Sequence, residues 1–126
     1  MDKHDRLKKT YIVLALIGAA LWSATLYLRG TPCRDYPVLK HLLGVAPNFC
    51  VVWIGTGTVA ALHPFVFKKE FNPSHIVWLL ASFLAILLLS ETVHALFLHA
   101  RFDIWDILAS VAACAAVWAI QRIHRR

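Results

Sequence analysis

Four long apolar segments, separated by short polar ones, dominate the pattern of the chain. They cover roughly residues 11–28, 48–67, 75–98 and 103–120. A helix needs about 20 residues, rising about 1.5 Å each, to cross the hydrocarbon core of a bilayer. Each segment reaches or approaches that length. The pattern therefore predicts an all-α integral membrane protein, a four-helix bundle built as a single domain over residues 1–126.

Composition supports a membrane protein and argues against a water-soluble domain. The chain is 60% hydrophobic, which is too apolar for a soluble domain of 126 residues. Its net charge of +6 is not accompanied by any RNA- or DNA-binding motif, so we expect membrane lipids and no nucleic acid as partners. The first apolar segment is longer than a signal-peptide core and lacks a small-residue cleavage site before Arg29, which predicts an uncleaved first helix.

The basic residues predict the orientation of the bundle. Four crossings place both termini on one side, together with the connection between the second and third helices. That side would carry nine basic residues: Lys3, Arg6, Lys8, Lys9, Lys68, Lys69, Arg122, Arg125 and Arg126. The opposite side would carry four: Arg29, Arg34, Lys40 and Arg101. Because cytoplasmic loops carry the excess of Lys and Arg, both termini are predicted to be cytoplasmic.

Polar residues are concentrated between the third and fourth apolar segments. A charge inside a bilayer costs roughly 2.5 to 3.5 kcal/mol, so charges kept at a membrane edge need a reason. On the third helix, Glu91 and His94 share a face, and on the fourth, Asp103, Asp106 and Ser110 recur at helical spacing. The fourth-helix stripe continues with small residues, which predicts a packing face.

The carboxylates of Glu91 and Asp106 are harder to explain than that of Asp103. Asp103 suits the start of a helix, and Arg101 suits a membrane interface. Glu91 and Asp106 lie at least one turn inside their helices, where a buried carboxylate needs a partner. We expect the two to face each other with Arg101 within reach. The predicted outward-open binding site comprises Glu91, His94, Arg101, Asp103, Asp106 and Ser110.

The same residues do not match a known metal motif, and we predict no metal and no cofactor. The Glu-x-x-His pair formed by Glu91 and His94 occurs once, whereas di-iron bundles use two. The His-Glu-x-x-His motif of zinc hydrolases is absent. Whether His63, His94 or His99 binds a cofactor stays open.

The segment from Arg29 to Pro47 is predicted to be the one sizeable loop. Within it, residues 38–44 suit a short helical turn at the interface, and Pro47 suits the first turn of the second helix. We predict that Cys33 and Cys50 come within the Cα separation of about 7 Å that a disulfide requires. Whether they form one stays open.

Small and capping residues predict how the helices pack and begin. Residues 55–58, Gly-Thr-Gly-Thr, favour the close approach of another helix. Asn72 or Ser74 is expected to cap the third helix, with Pro73 in its first turn. Cys114 is expected to be a packing residue.

The last forty residues resemble the VanZ-like family of small bacterial membrane proteins. The family pattern has Glu-x-x-Gln at a helix end, Arg before a Phe-Asp turn, and Asp-x-x-x-Asn opening the next helix. The counterparts here are residues 91–94, 101–103 and 106–110. His94 replaces the glutamine and Ser110 the asparagine. The first half of the chain is similar only in hydropathy.

The resemblance implies a multi-pass protein of the bacterial inner membrane and cell envelope, linked to glycopeptide resistance of the teicoplanin type. An outward-facing polar site would suit a lipid-linked sugar, a peptidoglycan precursor or a glycopeptide. Two other functions stay open. One is a membrane-embedded enzyme that uses Glu91 or Asp106 as an acid or base, and the other is a small accessory subunit of a larger membrane complex.

Overall fold

The computed structural model describes residues 2–126 as four helices joined by short segments. The helices are α1 (Lys3–Arg29), α2 (Pro37–Phe67), α3 (Ile76–Phe97) and α4 (Ile104–Arg125). Short 3₁₀ turns precede α2 and α3. No strand occurs among residues 2–126, and all four helices are long and apolar enough to cross a membrane. The prediction of an all-α, four-helix protein is confirmed.

The predicted loop before the second helix is wrong for most of its length. α2 begins at Pro37, which occupies the first helical turn, so the connection after α1 is short. Residues 38–44 are not a separate interfacial turn but the first turns of α2. Pro47, which we expected to open the helix, lies inside it.

A long-range hydrogen bond explains how α2 continues through Pro47. Proline has no backbone N–H, so the carbonyl of Leu43, four residues earlier, loses its normal helical donor. Arg29 at the end of α1 replaces that donor, because its Nε and Nη2 lie 3.1 and 2.5 Å from the Leu43 oxygen. The guanidinium group therefore satisfies the carbonyl that Pro47 leaves free and ties α1 to α2.

The start of α1 and the end of α4 lie at the same end of the bundle, which we call the terminal end. There the hydroxyl of Thr10 in α1 lies 3.3 Å from the Nε2 of His124 in α4. The Nζ of Lys8 lies 3.0 Å from the carboxylate of Glu70, in the connection between α2 and α3. The opposite end, which carries residues 29–44 and 91–106, is the distal end.

α1 and α4 extend further at the terminal end than the apolar pattern predicted. α1 begins at Lys3, and its inward side chains Leu7, Tyr11 and Leu14 recur at helical spacing. α4 continues to Arg125, and within this extension the buried Gln121 donates through Nε2 to the carbonyl of Pro73, at 2.6 Å. The polar flanks of both spans are therefore helical and packed.

α2 is the central helix, in contact with the other three. A Cβ added to Gly57 would collide with the backbone carbonyl of Tyr11 and the methyl group of Ala15. A Cβ added to Gly55 would meet the ring of Phe83 in α3 at 2.5 Å. The small-residue patch therefore permits close approach on two sides of α2, as predicted.

The packing face of α4 also agrees with the prediction. Its buried residues follow the expected stripe and extend it by one turn: Ser110, Ala113, Cys114, Val117 and Gln121. By contrast, large apolar side chains such as Leu16, Ile86 and Leu89 are more than 60% exposed. Apolar surface of this kind on every helix is what a bilayer would cover.

Candidate polar site at the distal end

α3 ends and α4 begins through well-defined backbone features at the distal end. The N–H groups of Leu98 and Ala100 both donate to the carbonyl of His94. His99 has a φ of 51°, the left-handed conformation that commonly ends a helix and that histidine tolerates better than most residues. We therefore assign His99 a structural role through its backbone.

Asp103 is the N-cap of α4. Its Oδ1 accepts a hydrogen bond of 2.9 Å from the backbone N–H of Trp105. This satisfies one of the free donors at the start of a helix, and the negative charge suits the positive end of the helix dipole. The presence of Asp103 is thus explained by the fold alone.

Asp106 lies in the first turn of α4, not one turn further in as we expected, and it is the carboxylate around which the other polar groups gather. It is half-buried, and the side chain of Asn48 in α2 is its hydrogen-bonding neighbour. Glu91 of α3 and Asp103 are near enough for mutual repulsion with its charge, and His41 of α2 is near enough for attraction. Side chains from three helices therefore converge at this point.

Asn48 and His41 are the members of the site that sequence reasoning missed. Both belong to α2, and His41 lies in the part that was expected to be loop. They are seven residues apart, so a continuous helix places them on one face. The ring of His41 stands edge-on to Trp105, with centroids 5.2 Å apart, which fixes this face of α2 against the start of α4. The sequence feature that could have revealed these two residues is Pro37. Proline suits the first turn of a helix, and a helix that begins there includes both His41 and Asn48.

The expected pairing of Arg101 with Glu91 or Asp106 is wrong. Arg101 is exposed, in the irregular segment between α3 and α4. Within residues 2–126, ion pairs closer than 4 Å occur between Lys8 and Glu70 and between Arg34 and Asp35. Asp106 has an amide neighbour in place of a guanidinium, because the longer α2 brings Asn48 to it.

The remaining two predicted site residues lie in different surroundings. His94 is exposed, because the inward face of α3 runs through Leu80, Phe83 and Leu87 to the half-buried Glu91. Ser110 is fully buried, and its hydroxyl donates to the backbone carbonyl of Asp106 at 2.9 Å. Ser110 therefore packs beneath the site, while His94 lies outside its interior.

The structure also places the cysteines and His63. All three cysteines are free, and α2 carries Cys50 thirteen residues beyond Pro37, about 20 Å along the helix. The expected proximity of Cys50 to Cys33 is therefore wrong. His63 donates through Nδ1 to the carbonyl of Lys69 at 2.7 Å, which stabilises the turn after α2.

No group of three or more His, Cys, Asp or Glu side chains in residues 2–126 is arranged to hold a metal ion. The three carboxylates are thus close enough to influence one another without forming a coordination shell. What they offer is negative charge and hydrogen-bond acceptors, next to the amide of Asn48 and the imidazole of His41.

The fold and its exposed apolar surface define a class: a small helical protein with four candidate membrane-spanning helices, consistent with a multi-pass membrane protein. No protein-family model, curated protein or solved structure matches this chain. The VanZ-like resemblance of its last forty residues therefore stays a prediction.

Proposed function

We propose that this chain is a bacterial envelope protein that binds a cell-wall or lipid-linked ligand at its distal end. In this proposal it lies in the inner membrane with both termini in the cytoplasm. Charge supports that orientation, because the terminal end carries nine basic and three acidic residues, whereas the distal end carries four of each. The entire net charge of +6 thus lies on the terminal side, as expected for the cytoplasmic face.

The observation that carries the proposed site is the half-buried carboxylate of Asp106. It has two other acidic groups nearby, Glu91 and Asp103, and no ion pair within 4 Å in the part of the chain that the structure describes. The amide of Asn48 offers one donor, but a partly desolvated carboxylate beside two others is stabilised further by additional hydrogen-bond donors or a cation. A ligand that bears ammonium or hydroxyl groups would supply them.

The chemistry of the site narrows the class of ligand. Carboxylates accept hydrogen bonds from sugar hydroxyls and form charge-assisted bonds with amines. A lipid-linked sugar, a peptidoglycan precursor with a free side-chain amine, or a glycopeptide offers such groups at the membrane surface. The VanZ-like resemblance favours the same class and is the basis for proposing a link to teicoplanin resistance.

The test is a binding measurement on the purified protein in lipid nanodiscs. The probes are teicoplanin and a lipid-linked muramyl pentapeptide that carries a lysine side chain. Asp106→Asn keeps the size and polarity of the side chain but removes its charge, so we expect affinity for at least one probe to fall about tenfold or more.

Asp35→Asn is the matched control. Asp35 is an exposed distal-end carboxylate 3.8 Å from the guanidinium of Arg34, well separated in sequence from the site. Its substitution changes the net charge by the same amount and is expected to change affinity less than about twofold, because exposed charges are well screened. Equal loss in both variants, or absence of binding of both probes to the unmodified protein, contradicts the proposal.

A further inference from the structure

A second polar region, at the terminal end, is separate from the proposed ligand site. A cavity of about 300 Å³ opens there between the starts of α1 and α3 and the end of α4. Its charged and imidazole-bearing lining residues are Lys3, His4, His124 and Arg125. No carboxylate lines this cavity, although Asp2, Asp5 and Glu70 lie in the same end of the bundle.

The backbone adds to the positive character of this cavity. Its wall includes the first turn of α1 and the Asn72-Pro73-Ser74 segment that leads into α3. The N–H of Ser74 already donates to the side chain of Asn72, so the helix N-terminus at this cavity is that of α1. The N-terminus of a helix carries a partial positive charge and free N–H groups. The last turn of α4 brings the opposite partial charge, and the cation of Arg125 stands there.

Buried polar atoms without partners lie beside the cavity. The hydroxyl of Tyr11, whose residue is 1% exposed, has no hydrogen-bond partner in the structure. It lines a smaller cavity of about 30 Å³ that shares His4, Leu7 and Pro73 with the larger one. The Oε1 of the buried Gln121 is also unpartnered and lines an adjoining cavity with Ser74 and Arg125.

We propose that the larger cavity binds a phosphate group, supplied by the headgroup of an anionic membrane phospholipid. Lysine and arginine beside helix N-termini form a common setting for phosphate recognition. A position near the lipid headgroups is supported by Trp118, which is exposed and lines the adjoining cavity with Ser74 and Arg125, because exposed aromatic residues are enriched at membrane interfaces. The Cζ atom of Arg122 lies 4.8 Å from the centroid of the Trp118 ring, so a further cation stands at the terminal end.

The test compares two double variants in detergent solution. Lys3→Gln with Arg125→Gln removes two charges from the cavity wall. Lys68→Gln with Lys69→Gln removes two exposed charges from the same end of the bundle, outside the cavity. Affinity is measured for dioctanoyl phosphatidylglycerol, for dioctanoyl phosphatidylcholine and for inorganic phosphate, and melting temperature is followed as a check on folding.

We expect phosphatidylglycerol to bind the unmodified protein and to lose about tenfold or more in affinity for the cavity variant. The matched variant should stay within about twofold, because Lys68 and Lys69 do not line the cavity and solvent screens their charges from a phosphate bound there. Binding of inorganic phosphate alone, with the same dependence on Lys3 and Arg125, keeps the phosphate site and rejects the lipid as its source. Equal loss in both double variants, or equal binding of phosphatidylcholine, overturns the proposal.

Discussion

The two ends of the bundle use their polar residues differently. At the terminal end, polar side chains of different segments bond to one another or across the bundle, as in Lys8 with Glu70, Thr10 with His124, and Gln121 with the carbonyl of Pro73. At the distal end, Asp103 and Ser110 bond to the backbone of their own helix, and the bond between helices runs from Arg29 to the backbone carbonyl of Leu43.

This comparison separates the polar residues whose presence the fold explains from those whose presence it does not explain. Closing the terminal end accounts for many of its polar groups and leaves a surplus of positive charge. At the distal end, helix capping accounts for Asp103 and the helix dipole favours Asp106 in the first turn of α4, but no ion pair among residues 2–126 compensates the proximity of Glu91 and Asp106. Those two carboxylates are therefore the best candidates for binding a ligand.

The largest loss of stability is expected at Gly57, where α1 and α2 approach each other closely. Gly57→Ala places a methyl group against the backbone of Tyr11, which is much less able to move than a side chain. We expect a loss of about 3 kcal/mol in the free energy of unfolding, or failure to accumulate in the membrane. Melting in detergent or the yield of folded protein measures it.

Gly44→Ala provides the control at the distal end. A Cβ at Gly44 has no neighbour within 4 Å, and the residue lies inside α2. Alanine should therefore stabilise the helix by about 0.5 to 1 kcal/mol. If Gly57→Ala were as well tolerated as Gly44→Ala, the close contact between α1 and α2 would be refuted.

The bond between Arg29 and Leu43 can be tested by a double-mutant cycle. Arg29→Gln should lower stability by about 1.5 to 3 kcal/mol, because it weakens or removes the charged donor to the free carbonyl of Leu43. In a Pro47→Ala background the helix regains its own N–H donor, so the same change should cost much less. Equal costs in the two backgrounds would show that Arg29 does not compensate for Pro47.

Asp103 and Asp106 are expected to respond in opposite ways. Asp103→Ala should lower stability by about 1 kcal/mol, because α4 loses its N-cap, whereas Asp103→Asn should retain most of it. Asp106→Asn should leave the melting temperature nearly unchanged while it weakens ligand binding. Parallel melting and binding measurements on the three variants distinguish a capping residue from a binding residue, and a stability loss with Asp106→Asn equal to that of Asp103→Ala is inconsistent with this distinction.

The smallest effect concerns an ion pair at the terminal end. The side chains of Lys8 and Glu70 are 31% and 62% exposed, so solvent screens their attraction. Lys8→Gln should change the free energy of unfolding by less than about 1 kcal/mol. A larger loss, measured by melting at low and high salt, would show that this pair closes the bundle on its own.

Periodicity explains why much of the fold could be predicted. The apolar segments marked four helices, the glycines of α2 marked a close contact, and the spacing from Ser110 to Val117 marked the packing face of α4. Each of these signals is local. Asn72 could likewise be recognised as a cap, and its side chain accepts from the N–H of Ser74 at 2.9 Å. It caps the 3₁₀ turn Pro73–His75 and not α3 itself, which begins after His75 without a side-chain cap.

Signals that depend on tertiary contacts could not be predicted in the same way. Pro37 and Pro47 are both plausible helix starts, and only the contact of Arg29 with Leu43 shows why the helix continues through the second. The proximity of Asn48 to Asp106 depends on that extension. The direction of Arg101 could not be inferred either, because its segment has no regular periodicity.

The central claim is that the distal end, with Glu91 and Asp106, faces the outside of the cell. Single cysteines at residues 36 and 126, in a background with Cys33→Ser, Cys50→Ala and Cys114→Ala, report on the two ends. A membrane-impermeant thiol reagent should label Tyr36→Cys in intact cells and Arg126→Cys only after permeabilisation. Labelling of Arg126→Cys but not Tyr36→Cys in intact cells would contradict the account.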